Sequence, residues 1–419
     1  MDRWWAGLPE LYHVRADCRL CRSTNLHTVL ALTDCPAGDS LVPESSDAGS
    51  DFVFPLTVVS CGDCRNVQLR EVVAPEYLYG KYTYNTAVSM GLADHFDEYA
   101  AAILAEYRPA TGALVVDIGS NDGTLLKSFA ARGMNVIGVE PAAGVARRAN
   151  DAGVKTINAF FDISVAEDIA RDSGPAAVIT ANNVMANIDD LGGLFEAVTT
   201  LLASDGVFVF ETGYVADQIN DALFDNIYHE HLSYFAIAPL VQFFEREGLE
   251  MIGATRVWTK GGSIRCVVQR AGGPRPASKS VAEVTREELA SEVGFPQAFV
   301  PLSDLISDAR TQLLDSIKSY PSGTRFAGYG ASVGAITMLY HFGLGAHLEY
   351  IIDDDSLKQG KLTPGHRIPV LPPTALDQDL PDVLVILAWR YADVIMKNRR
   401  SFSDRGGRFL IPWPKLKIS

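Results

Sequence analysis

The chain has 419 residues, 47% hydrophobic and 21% charged, with a formal net charge of -15. At roughly 150 residues per domain, that length holds two or three domains, each large enough to bury a core. The apolar content excludes a mainly disordered chain. Gly, Pro, Asp or Asn interrupt every apolar stretch well before the ~18 residues of a membrane span. The acidic balance disfavours nucleic acid as the main ligand, because counterion release needs clustered Lys and Arg. The start, Met1-Asp2-Arg3-Trp4-Trp5, lacks the basic and apolar runs of a signal peptide, so a cytoplasmic protein is expected. No feature points beyond a monomer.

In chain order, residues 1–75 carry two C-x-x-C knuckles, Cys18-Arg-Leu-Cys21 and Cys61-Gly-Asp-Cys64, with a strand over 52–59 and a Ser/Asp/Gly-rich loop over 44–51. Two such hairpins facing each other supply the four thiolates of a tetrahedral structural zinc site. The alternative is a pair of disulfides or a redox dithiol. The first fits a non-secreted chain poorly, and the second would not come in duplicate. A zinc ribbon this small needs the metal to fold. Cys35 and Cys266 read as ordinary buried thiols.

Residues 76–272 form the second unit. Its first part, 76–110, reads as a helical linker whose Tyr77, Tyr79, Tyr82 and Tyr84 pack on the next domain. From Ala113 the pattern becomes regular β/α alternation, with strands at 113–117, 135–139, 155–157, 176–180 and 206–210. Runs at 249–258 and 263–269, joined at Gly261-Gly262, make a hairpin, so the sheet ends with an antiparallel strand. Residues 273–419 form a third, Rossmann-like α/β unit, with one long helix over 281–320 and strands near 325–332, 348–352 and 382–387.

The first β/α turn reads Asp117-Ile-Gly119-Ser-Asn121-Asp122-Gly123, a D-x-G-x-x-x-G. Its glycines let a ligand approach the carboxyl edge of the sheet. Asp117 would repel a pyrophosphate but welcome a cationic amino acid. Glu140, ending the second strand, can accept both ribose hydroxyls of an adenosine. Together they describe an S-adenosylmethionine (SAM) site on a class I methyltransferase fold, with Phe160 of the 158–161 segment flanking the adenine. Asn182 and Asn183 close the pocket.

Combined with the knuckles, Asn226-Ile-Tyr-His-Glu-His-Leu-Ser-Tyr-Phe235, Gly328-Tyr-Gly-Ala-Ser332 and Lys358-Gln-Gly360, the chain resembles the three-domain C-methyltransferases of antibiotic deoxysugar biosynthesis over nearly its whole length. The resemblance implies SAM-dependent methylation at C3 of a dTDP-4-keto sugar, in a pocket between the middle and C-terminal domains. Tyr82, Tyr228, Glu230 and His231 match the family's residues.

The residues can also be read without the family. Methylating carbon requires loss of a proton beside a carbonyl, which suits His231 as base, oriented by Glu230. Tyr228 or Tyr82 can stabilise the enolate oxygen. The bland alternative is a pair of satisfied loop histidines. On the substrate side, Lys260, Ser263, Tyr329 and Ser332 are candidate contacts.

Three departures from the family stand out. Asn187 and Lys260 occupy positions that usually hold His, and Val333-Gly-Ala-Ile-Thr337 replaces a more polar, Lys-containing run. Asn187 makes a polar contact but shuttles no proton near neutral pH. A relative acting on a non-sugar keto metabolite, or a cyclase or isomerase that transfers no methyl, is therefore the alternative. A degenerate scaffold is argued against by the intact Asp117/Glu140 pair. Gly330-Ala-Ser332-Val-Gly334 also fits a hydrolase elbow, but reads better as a Rossmann-like loop.

Overall fold

The computed structural model describes residues 11–38, 41–45, 52–79 and 91–419. The N-terminal part contributes β1 (Tyr12–Val14), β2 (Leu26–Cys35), β3 (Val42–Pro43), β4 (Phe54–Cys61), β5 (Val67–Leu69) and β6 (Glu71–Val73). β2, β4 and β5 form an antiparallel sheet. β4 is buried along almost its whole length, as its apolar run requires.

The middle of the chain builds a seven-stranded sheet from β7 (Leu114–Ile118), β8 (Asn135–Val139), β9 (Thr156–Ile157), β10 (Ala176–Asn182) and β11 (Leu202–Gly213), followed after an interval by β13 (Leu249–Val257) and β14 (Ser263–Arg270). The intervening β12 (Ser233–Tyr234) leaves this sheet altogether. The order is β13-β14-β11-β10-β7-β8-β9, with β14 antiparallel to both neighbours. The chain-final strand is thus antiparallel, but it inserts between β11 and β13, so the edge belongs to β13.

Strand β7 is buried on both faces. Leu114, Val116 and Ile118 enter one core and Val115 the other. In the second core, Leu92, Phe96, Tyr99 and Ile103 of helix Leu92–Tyr107 pack on Val115, Val178, Val207 and Val209. Their helical spacing puts them on one face. The strand order reverses between β7 and β10, which opens a crevice at their carboxyl ends.

β12 pairs with β5, Ser233 opposite Gln68 and Tyr234 opposite Val67, giving the sheet β12-β5-β4-β2. A strand of the β/α unit therefore completes the sheet that carries the cysteines.

The long helix expected over 281–320 is instead two, Lys279–Ala290 and Val300–Ser319. Gly294 between them has φ +85, and a Cβ there would lie 2.3 Å from the Arg65 carbonyl oxygen. Pro296 then starts a short 3-10 turn. The break lets the chain pack against the second cysteine knuckle, where the Ser60 hydroxyl donates to the Gly294 carbonyl.

The last unit adds β15 (Phe326–Tyr329), β16 (Leu348–Ile352), β17 (Lys361–Leu362), β18 (Val370–Leu371), β19 (Val383–Ile386), β20 (Arg408–Ile411) and β21 (Lys417–Ile418). Its sheet runs β18-β16-β15-β19-β20-β21 and is parallel up to the antiparallel β21. β17 reaches out of it to pair with β3.

Candidate active site and metal centre

The two knuckles meet. The Sγ atoms of Cys18, Cys21, Cys61 and Cys64 lie within 4.8 Å of one another. Cys18–Cys64 and Cys21–Cys61 are each 3.5 Å apart. A tetrahedral site with Zn–S bonds of about 2.3 Å places its sulfurs about 3.8 Å apart, so this donor set fits zinc. Both knuckles close alike: Arg22 and Arg65 donate their N–H groups to the carbonyls of Cys18 and Cys61 at 2.9 Å. Both arginines have positive φ. All six cysteines are free, and Cys35 and Cys266 are buried.

At the crevice, Asp117, the last but one residue of β7, accepts the Thr180 hydroxyl at 2.6 Å. Burial pushes its carboxyl up to about 7. Gly119 has φ +68, and a Cβ there would lie 2.4 Å from Val184. Only bare backbone fits this bend. Asn121 is also left-handed, and its N–H donates to Glu140 at 3.0 Å. Gly123 closes the loop at φ +76.

The second oxygen of Glu140 accepts the Ala142 N–H at 2.8 Å. A carboxylate offers about four acceptor sites, so two remain for a ligand. Asn158 holds this corner by donating to the carbonyls of Glu140 and Pro141. Phe160 stands half exposed, its ring edge-on to Tyr79. Asn182 accepts the Glu211 N–H at 3.0 Å, while Asn183, at φ 57, donates its own N–H to the Glu211 carbonyl. A glycine cradle between two buried carboxylates fits a cationic nucleoside such as SAM.

The 226–235 segment arches from the sheet toward the cysteine domain. His231 Nδ1 lies 2.9 Å from the Asn226 carbonyl, an obligate acceptor, so Nδ1 carries the proton. Nε2 then accepts the Tyr228 hydroxyl at 2.9 Å. His229 turns the other way. Its Nε2 donates to the Pro55 carbonyl at 3.1 Å, its ring meets Phe54, and burial lowers its pKa. The two histidines thus face opposite ways, His229 into the cysteine domain and His231 onto Tyr228. Glu230 is buried near Tyr79.

Asn187 follows β10 and donates to the Tyr79 oxygen at 3.1 Å. Its own Oδ1 is buried and has no hydrogen-bond partner among the described residues. Burial, with Glu230 and Glu140 nearby, pushes the Tyr79 phenol well above its usual range. Tyr79 thus packs on the following unit, against Phe160 and Asn187. Tyr82 lies outside the described residues, as does the side chain of Lys260.

The other candidates stand apart. Ser263 is fully buried and donates to the Thr259 carbonyl, closing the hairpin. The Tyr329 hydroxyl is engaged by Asp354 and Arg399. Ser332 caps the helix Val333–His341 by accepting the Ala335 N–H. His341, at the far end of that helix, contacts Thr33, so Ser332 has no base of a hydrolase elbow there.

The same helix braces the arch, with Thr337 donating to the Ile227 carbonyl at 3.0 Å. Trp389 and Arg390 both donate to Asp225. One buried polar group carries no signal in the sequence. Glu211, 1% exposed, pairs with His95 at 2.8 Å and with Arg265 at 2.6 Å. Register places Glu211 beside Asn182, and nothing in the spacing of residues 95, 211 and 265 announces the cluster.

Three family models cover nearly all of the chain: "Putative zinc binding domain" over 18–79, "Methyltransferase domain" over 70–253 and "C-methyltransferase C-terminal domain" over 258–414. The chain is 33% identical over 404 residues, 96% of both proteins, to C-methyltransferase NovU of Streptomyces niveus. The chain belongs to this C-methyltransferase family. The C-methyltransferase carries a methyltransferase domain and a zinc-binding domain, whose four cysteines are gathered to hold one metal ion. Among solved structures, magnesium protoporphyrin IX methyltransferase of Synechocystis PCC 6803 with bound SAM is 14% identical, over 47% of this chain and 89% of that one, with TM-score 0.34. A SAM-dependent methyltransferase of Clostridium acetobutylicum is 16% identical, over 47% and 96%, with TM-score 0.36. Among the described residues of the C-methyltransferase, no helix is long and apolar enough to cross a membrane.

Removing one thiolate should release the metal, since structural zinc supplies on the order of 10 kcal/mol of apparent folding free energy. Cys64→Ser is expected to purify with far less than one zinc per chain and with a protease-sensitive N-terminal domain. Full zinc content by elemental analysis would contradict a four-thiolate centre.

Proposed function

We propose that the enzyme methylates the carbon beside a ketone, C3 of a nucleotide-linked 4-keto-deoxysugar in natural-product biosynthesis. The observation that carries this reading is the His231–Tyr228 pair, with Nδ1 anchored on the Asn226 carbonyl and Nε2 left as the acceptor. When bound, SAM supplies an electrophilic methyl carbon on a sulfonium. Asp117 would face its cationic amino-acid end and Glu140 its ribose. Gly119, Asn121 and Gly123 would line the loop, with Phe160, Asn182 and Asn183 around the rest.

His231 Nε2 takes the proton from the substrate carbon, and the Asn226 carbonyl holds the resulting imidazolium through Nδ1. The Tyr228 hydroxyl, which donates to Nε2 in the resting site, turns to the enolate oxygen as charge develops there. Asn187 offers its unpartnered Oδ1 to a substrate hydroxyl. Because an amide cannot move a proton near neutral pH, proton abstraction is assigned to His231 rather than to Asn187. Arg390, partly exposed beside Asn226 and the Gly261 turn, places positive charge where an anionic substrate would arrive.

The direct test is incubation with SAM and a dTDP-linked 4-keto-6-deoxyhexose. It should yield S-adenosylhomocysteine and a sugar carrying a new C3 methyl group by NMR. Substrate conversion without S-adenosylhomocysteine would contradict methyl transfer. His231→Ala should lower kcat about 100- to 10,000-fold, the usual worth of a general base, while leaving SAM affinity nearly intact. Wild-type turnover would remove His231 as base.

Glu140→Ala should weaken SAM binding by about 1.5–3 kcal/mol through lost charge-assisted hydrogen bonds. An unchanged calorimetric Kd would refute the ribose assignment. Asp117, titrating near 7, is protonated in the free enzyme below that pH. A cationic ligand favours the carboxylate, so binding releases the proton. SAM affinity should therefore fall by up to about tenfold per pH unit below 7, and Asp117→Asn should abolish that slope. A pH-independent Kd in the wild type would contradict the assignment.

A further inference from the structure

Arg19 sits inside the first knuckle, between Cys18 and Cys21, with a side chain 0% exposed. A buried guanidinium is costly to desolvate and persists only where several acceptors meet it. Three do. Nη1 donates to the Leu69 carbonyl at 2.6 Å and to the Leu232 carbonyl at 2.9 Å, and Nε donates to Asp189 at 2.8 Å. Leu69 belongs to the metal-bearing sheet. Leu232 directly follows His231, and Asp189 lies two residues beyond Asn187.

Neighbouring contacts reinforce this reach. Arg15 donates to both the side chain and the carbonyl of Asp189, at 2.9 and 3.2 Å. The Arg19 N–H is held by Gln68, which pairs with Ser233 across β5 and β12. With a cysteine ligand on either side, the backbone of Arg19 can hardly shift once the four thiolates are gathered.

We propose that the metal centre acts on catalysis through Arg19, a positioning residue that sets the spacing between the loops carrying Asn187 and His231. A merely structural arginine in a knuckle would bond its own domain. This one spends two of its three side-chain bonds on two separate loops of the SAM-binding unit. The inference rests on the proposed roles of His231 and Asn187. It adds that the zinc domain is part of the catalytic device.

The test uses full-length, zinc-loaded Arg19→Met, assayed with SAM and a dTDP-linked 4-keto-6-deoxyhexose. Zinc content and calorimetric SAM affinity should stay at wild-type levels. The kcat should fall about 100-fold, the cost of a misplacement near 1 Å. Amide hydrogen exchange should rise in both 183–190 and 226–235. Arg19→Lys, which keeps the charge but not the fork, should recover part of kcat. Wild-type kcat with zinc retained would overturn the proposal, as would zinc and SAM binding lost together. Should Arg19→Met fail to fold, Asp189→Asn decides, because Asp189 lies on a partly exposed loop. A lowered kcat with intact SAM affinity supports the proposal, and wild-type kcat refutes it. A fully active His231→Ala would instead defeat the assignment of the site. An inactive His231→Ala beside a fully active Arg19→Met would defeat only the role of Arg19.

Discussion

The pairing of Ser233 and Tyr234 with Gln68 and Val67 makes the segment that carries His231 a strand of the metal-organised sheet. Two residues of ladder would hold little alone. They are backed by His229 on the Pro55 carbonyl from one side and by Arg19 on the Leu232 carbonyl from the other. The opposite end of the arch is braced by the C-terminal unit, through Thr337 on Ile227 and Arg390 on Asp225. Tyr228 and His231 thus lie at the junction of all three parts of the chain. Such bracing suits the proposed role of this pair, since placement within about 0.5 Å is part of catalysis.

Charge is divided across the site. The cofactor edge holds two buried carboxylates, Asp117 and Glu140, both raised by burial and therefore ready to gain from a cation. The side facing the C-terminal unit holds Arg390 beside a buried Asp225 whose carboxyl is likewise raised by burial. The proposed pairing of a cationic cofactor with an anionic sugar nucleotide follows this division.

Features set by local spacing were legible in the sequence: both C-x-x-C knuckles, the D-x-G-x-x-x-G loop, Glu140 at the next strand end and the Gly261-Gly262 hairpin. Features set by long-range contact were not. A two-residue strand such as β12 has no periodicity to read, and its partner lies more than 150 residues away in the chain. Arg19 carries no local signal between its two cysteines, because only the fold brings Asp189 and Leu232 to it. The contact of Asn187 with the Tyr79 hydroxyl spans 108 residues of chain, so no local spacing announces it. The break at Gly294 was hidden by continuous helical spacing on both sides, and the Arg65 carbonyl that forces it belongs to another domain. Ser263 carried a plausible hydroxyl, but the hairpin it closes uses that hydroxyl up.

The central claim is that His231, held on Asn226 and paired with Tyr228, removes a proton from a carbon beside a ketone. That step can be watched without methyl transfer. A dTDP-linked 4-keto-6-deoxyhexose incubated with the enzyme in deuterated water and without SAM should gain deuterium at C3 by NMR. The exchange should vanish in His231→Ala. An absence of exchange with the wild type, or exchange that survives the loss of His231, would contradict the account.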